Sequence, residues 1–323
     1  TLSRNYIQYL QKELVLKGDK GKTIDSIYFG GGSPGLIDHQ DFLALFNTIS
    51  KVFTIDPGSE VTVEINPEDA DLEKLSQLKN CGFNRISIGT QSFDAADLAY
   101  LCRNHSSEMS ISVIQDAQRA GFQNINVDFI IGLPTQTSES LSRGFDLVRD
   151  LDVPHLSVYI LEGINEENDH NISLDADFYF QAEAVLSGFG YEHYEVSNYA
   201  RTNYESRHNN KYWQNQNYIG TGLSASGYEK GIDYKNTENL DEYFSLLRQE
   251  KLPIGEQQQI DPIRRCIVTG LRLKQGIDKE FFSDYRETIK MLLQEKFLLE
   301  REHRIYVNPK KMLLLNEILS YFS

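Results

Sequence analysis

Basic residues are in short supply: 32 lysines and arginines face 47 acidic residues, a formal charge of −15 over 323 residues. That balance argues against nucleic acid or anionic lipid as a partner and is the ordinary signature of solubility. Cysteine is scarcer still. Cys81, Cys102 and Cys266 have no zinc or iron–sulfur spacing, so they supply no metal site. An odd, sparse set of thiols predicts a reducing, cytoplasmic setting. No apolar run reaches the roughly 18 residues of a membrane span, so no transmembrane segment is expected. The opening Thr1-Leu2-Ser3-Arg4 lacks the charged and apolar regions of a signal peptide. Internal repeats and low-complexity stretches are absent.

What the chain does contain is alternation. β-branched and aromatic runs at 25–30, 60–66, 85–91, 124–132, 155–161 and 193–199 read as strands. Amphipathic stretches at 6–17, 40–53, 71–80, 108–120, 138–149 and 175–187 read as helices between them. Six such units at roughly 30-residue spacing predict right-handed crossovers and a parallel sheet, an α/β fold of partial TIM-barrel type. Residues 200–232, rich in Asn, Gly and aromatics, read as irregular. From 261 the order helix, helix, hairpin, helix resembles a winged-helix α+β module. Its 12 basic and 9 acidic residues are no DNA-binding footprint, which favours a packing role. The organisation expected is therefore a barrel over 1–200, a connecting region over 201–260 and a C-terminal module over 261–323. The start at Thr1, without Met and with a helix ahead of the first strand, leads to the expectation of a further strand before residue 1.

In parallel barrels functional groups gather at the carboxyl ends of strands. Those ends carry Gly30-Gly31-Gly32-Ser33, then Glu64-Ile65-Asn66, then Gln91, then Asp128. A hydrophobic strand has little structural need for a carboxylate or amide as it emerges, and four in phase point to one shared ligand. The glycines admit a tight turn, or a ligand brought close to bare backbone. Glu64 and Asp128 can accept hydrogen bonds from an ammonium or from hydroxyls. Arg103 in "LCRNHS" can fork onto a carboxylate or sit as a surface charge. "HNNKYW" (208–213) holds the only tryptophan, with His208 and Tyr212 four residues apart in what reads as a polar loop. His208 is either a hydrogen-bonded loop residue or a ligand for a metal or heme iron.

The ordered motifs "IYFGGGSP", "VEINPED", "IGTQSFD", "LCRNHS", "INVDFIIGLPTQT", "HYEVSNYA", "SRHNNKYW" and "IGTGLSASGY" resemble radical SAM proteins similar to oxygen-independent coproporphyrinogen III oxidase, and more closely the HemW branch of heme chaperones. The resemblance covers almost the whole chain. It implies S-adenosylmethionine contacts from Gly31, Gly32, Ser33, Glu64, Gln91, Arg103 and Asp128, and a heme contact from His208. It also implies a [4Fe–4S] cluster held by a C-x-x-x-C-x-x-C loop, which this chain lacks. That loop is expected ahead of residue 1, and the stretch 161–177 is shorter than the family's. The activity implied is heme binding and delivery to acceptor proteins, some at the membrane, by a cytoplasmic or peripheral protein. The alternatives are decarboxylation of coproporphyrinogen, or a cluster-less scaffold.

Overall fold

A computed structural model describes residues 2–161 and 172–322. The helices are α1 (Leu2–Lys17), α2 (His39–Val52), α3 (Leu72–Cys81), α4 (Ala95–Tyr100), α5 (Ser107–Arg119), α6 (Ser138–Asp150), α7 (Ile172–Gly188), α8 (Arg207–Trp213), α9 (Leu240–Arg248), α10 (Pro262–Gly270), α11 (Arg286–Gln294) and α12 (Leu315–Ser320). The strands are β1 (Thr23–Phe29), β2 (Thr54–Ile65), β3 (Arg85–Gln91), β4 (Asn124–Ile131), β5 (His155–Ile160), β6 (Glu192–His193), β7 (Asn198–Ala200), β8 (Ser226–Glu229), β9 (Ile232–Asn236), β10 (Ile254–Gln259), β11 (Ile277–Asp278), β12 (Leu298–Arg301) and β13 (Arg304–Val307). Two compact units emerge. One comprises Ile27–Leu36 and Glu60–Ser206; the other comprises the residues up to Ser26, Ile37–Ser59 and the chain from Arg207.

The first unit is built on a seven-stranded half-barrel sheet ordered β1-β2-β3-β4-β5-β7-β6. Neighbours from β2 to β5 pair in parallel, as the helix-separated alternation predicts. Three of its helices begin on side-chain caps: Asp71 for α3, Ser106 for α5 and a Thr137–Ser140 capping box for α6. Strand alternation sorts the residues by face. Ile86, Ile88, Ile125, Val127, Phe129, Leu156 and Val158 are buried apolar residues on one face. On the other face the register sets Glu64 beside Ser87, Ser87 beside Asn126, and Asn126 beside His155.

The expected sixth parallel strand is not formed. Residues 193–199 instead split into β6 and β7, which run antiparallel to each other, and β7 runs antiparallel to β5. The four residues between them are too few for a parallel crossover. Glu195, wholly buried, turns the chain there by accepting from the Ser197 backbone N–H at 3.1 Å and from the Asn198 side-chain amide. Residues 162–171, where the shortened stretch was expected, lie outside the described residues.

In the second unit, Tyr243, Phe244 and Leu247 of α9 form a buried cluster with Tyr6 and Tyr9 of α1. Glu13 is fully buried there and is satisfied by Lys17 at 2.6 Å, Tyr243 OH at 2.6 Å, Asn236 Nδ2 at 2.7 Å and the Gly222 N–H at 2.9 Å. The stretch expected to be irregular, 200–232, holds the short helix α8 and most of a β8–β9 hairpin. α8 buries none of its seven residues. Tertiary hydrogen bonds hold it, Lys211 to Asp25 at 2.6 Å and Arg207 to the Gly58 carbonyl at 2.6 Å, and these join residues too far apart in sequence for a local pattern to register. Beyond residue 261 the expected order of helix, helix, hairpin and helix is present, as α10, α11, β12–β13 and α12.

Candidate functional site

The glycine turn follows β1 directly. Gly31 and Gly32 have φ of +78° and +63°, where a Cβ is disfavoured, and a Cβ built on either meets none of the described atoms within 4 Å. Bare backbone therefore faces open space. Gly30 answers a different demand, since a Cβ there would lie 2.7 Å from Tyr28 Cε1 and 2.8 Å from Glu64 Oε1. Glu64 closes the turn by accepting from the Gly31 N–H at 3.0 Å and from the Tyr28 hydroxyl at 2.7 Å. Burial, reinforced by the Glu64 charge, pushes the Tyr28 phenol far above its ordinary range, so it stays a donor to that carboxylate.

Asp128 differs from the expectation in one respect. It sits in the middle of β4, three residues before the strand ends, rather than at its tip. There Asn126 Nδ2 donates to it at 2.8 Å and Ser87 Oγ lies 3.3 Å away. Burial raises its carboxyl to about 6, a hydrogen bond from Ser157 opposes the rise, and the nearby Glu64 charge adds to it. Gln91 ends β3 with φ of +65°. Gly89 leaves room for its side chain, because a Cβ there would come within 3.0 Å of Gln91 Nε2. Arg103, half-buried in the loop after α4, has an Nε shielded from solvent with no hydrogen-bond partner among the described residues. Ser33 is exposed, and its carbonyl accepts from the Leu36 N–H.

Gly31, Gly32, Ser33, Glu64, Gln91, Arg103 and Asp128 all belong to the unit built on the half-barrel; His208 belongs to the other. His208 lies on α8 rather than in a loop, with Nδ1 2.9 Å from Ser26 Oγ and Nε2 2.7 Å from Tyr212 OH. The i,i+4 spacing that places both rings on one helical face was visible in the residues.

Sequence reasoning missed the polar row beneath the strand ends. Asn126 Nδ2 also lies 2.6 Å from Ser87 Oγ and 3.0 Å from Ser157 Oγ, and its carbonyl lies 2.5 Å from His155 Nδ1. His155 Nε2 meets Tyr194 OH at 2.8 Å. Burial, then the Arg85 charge, holds the His155 imidazole well below its usual range. The Nδ1–H form fits this network: it donates to Asn126, while the Tyr194 hydroxyl donates to Nε2. The signal was polar residues at alternate strand positions, Arg85 and Ser87, Asn126 and Asp128, His155 and Ser157, in strands otherwise apolar.

The sequence description of the radical SAM superfamily matches residues 8–148. A heme chaperone HemW from Lactococcus lactis is 33% identical to this chain over 93% of it and 85% of the relative. The chain belongs to the HemW family of the radical SAM superfamily. A HemW from Bacillus subtilis is 28% identical over 98% of the chain and 90% of the relative. Among solved structures, coproporphyrinogen III oxidase (HemN) of Escherichia coli shares the fold, with a TM-score of 0.84 and 22% identity across 99% of this chain and 83% of that one.

Membership implies S-adenosylmethionine and a [4Fe–4S] cluster. The first fits the residues present: open backbone at two left-handed glycines, a half-buried carboxyl and a guanidinium Nε–H without a partner among the described residues suit a ligand bearing hydroxyls and a carboxylate. The second does not fit the described residues. Among them no three His, Cys, Asp or Glu side chains gather as a metal site, and Cys81, Cys102 and Cys266 form no disulfide. No step through the cluster is derived.

Proposed function

We propose that this protein is a heme chaperone, binding S-adenosylmethionine at the strand ends of its half-barrel and heme through His208, and passing heme to acceptor proteins. The observation that carries this reading is the imidazole–phenol pair on α8, in a chain whose relatives are named heme chaperones along nearly their full length. Neutral imidazole is a strong iron ligand, and its Nε2 is here engaged by a hydroxyl that iron would have to displace. A ligand held by exchange with an internal hydrogen bond can also be released by it, which suits delivery better than permanent capture.

In this reading several residues of the half-barrel have a task. The backbone of Gly31 and Gly32 lies against the ligand, and Glu64, pinned by Tyr28 and the Gly31 N–H, holds the turn in shape. Asp128 accepts from hydroxyls, and Arg103 offers its Nε–H to a carboxylate. Bound there, S-adenosylmethionine would supply a sulfonium whose carbon–sulfur bond is susceptible to reductive cleavage.

Hemin titrated into the full-length, anaerobically purified protein tests the heme arm. His208→Ala is expected to weaken binding by at least about tenfold, about 1.4 kcal/mol. Tyr212→Phe, which removes the competing hydroxyl, is expected to tighten it. Equal affinity of the wild type and His208→Ala would remove His208 from the heme site. The shared fold with coproporphyrinogen III oxidase supplies the second reading, which requires conversion of coproporphyrinogen propionates to vinyls by the same preparation.

A further inference from the structure

We infer that His105, a residue outside the ligand-facing set, is a positioning residue for Gln91, and this rests on the S-adenosylmethionine reading above. Gln91 sits at the centre of a three-residue turn. The Ser92 N–H donates to the Thr90 carbonyl at 2.8 Å, and Gln91 has φ of +65°. An i to i+2 hydrogen bond closed across a positive φ is the strained form of the γ-turn. Such a turn persists only where its surroundings over-determine it.

Both flanking residues are clamped by buried side chains. His105, 5% exposed, sets its Nε2 3.1 Å from the Thr90 carbonyl, which can only accept, so the ring N–H donates there. Its Nδ1 lies 2.8 Å from Glu68 Oε2, four residues after Glu64. On the other flank Ser92 Oγ donates to Asp97 at 2.8 Å and accepts from the Asp94 N–H at 3.1 Å. Asp97, 1% exposed, is itself held by Thr135 Oγ1 at 2.6 Å. One imidazole thus joins the segment following Glu64, the turn that carries Gln91 and the loop that carries Arg103. Both ring nitrogens lie within hydrogen-bond distance of a protein oxygen. Its role is to aim the Gln91 amide through the turn, not to touch the ligand.

The test is a double-mutant cycle read by equilibrium binding of S-adenosylmethionine to the full-length protein prepared anaerobically. His105→Ala is expected to weaken binding about tenfold, the scale of one buried hydrogen bond. In a Gln91→Ala background the same change is expected to cost less than about twofold, because the group it aims is gone. Glu68→Ala loosens the ring from its partly exposed partner with less risk to folding, and is expected to weaken binding about threefold. Equal losses from His105→Ala in both backgrounds would reveal a general structural effect and overturn the positioning role. So would unchanged affinity in both His105→Ala and Glu68→Ala. A wild-type protein that binds no S-adenosylmethionine would instead sink the underlying reading, and the positioning role with it.

Discussion

Gly31→Val is expected to reduce S-adenosylmethionine affinity by at least about 100-fold, equivalent to about 2.7 kcal/mol, while leaving the protein folded. The two effects separate because of what surrounds Gly31. Its φ of +78° charges any L-residue a left-handed penalty of about 1–2 kcal/mol, more for a β-branched one. Apart from Gly31 and its chain neighbours, however, no described atom lies within 4 Å of its missing Cβ, so a Cβ added there meets open space. It projects into the space that the proposed ligand would occupy. Gly30→Ala is the contrasting control: its Cβ would press on Tyr28 and Glu64, so it disturbs the protein's own hydrogen bonds first. Equilibrium binding and denaturant unfolding of both variants check the pair. Undiminished binding in Gly31→Val would mean that the ligand lies elsewhere.

Asp128→Asn is expected to trade binding for stability, with a pH dependence that exposes the cause. Burial lifts the Asp128 carboxyl from about 3.8 to about 6, so the folded protein holds a proton that the unfolded chain releases. A raised carboxyl stabilises the fold least where it must be ionised. The contribution falls as pH rises from about 4 through 6, and above that it is a constant cost of up to about 3 kcal/mol. An amide of the same shape has no such cost. Wild type and variant should therefore be equally stable near pH 4, and the variant more stable at pH 8, by an amount approaching that figure. S-adenosylmethionine binding should weaken in the variant, because an amide accepts fewer hydroxyl bonds than a carboxylate. Unfolding curves at the two pH values decide it; a variant less stable than wild type at pH 8 would refute the burial argument.

Much of this arrangement was legible before any coordinates. Gly31, Glu64 and Gln91 stand out because a strand emerging from a sheet has no structural use for a glycine run, a carboxylate or an amide. Strand and helix periodicities are local, and so β3 and α6 were expected within a residue or so of where they lie. Family resemblance added the ligand that those residues suit.

Other features depended on distance in the chain. The reversal at β6–β7 rests on buried Glu195, and nothing in "HYEVSNY" distinguishes a buried acid from a surface one. α8 looks like a polar loop because its hydrogen bonds reach Asp25, Ser26 and Gly58, roughly 150 to 190 residues away. His105 passed unnoticed among seven histidines until folding set it between Glu68 and Thr90, 37 and 15 residues away. The raised Asp128 carboxyl is of the same kind, since burial is a property of packing and not of residue type. Residue identity and spacing were enough to single out the groups proposed to face a ligand. The groups that hold them in place, and the energies that tune them, were decided by contacts that exist only once the sheet has closed around them.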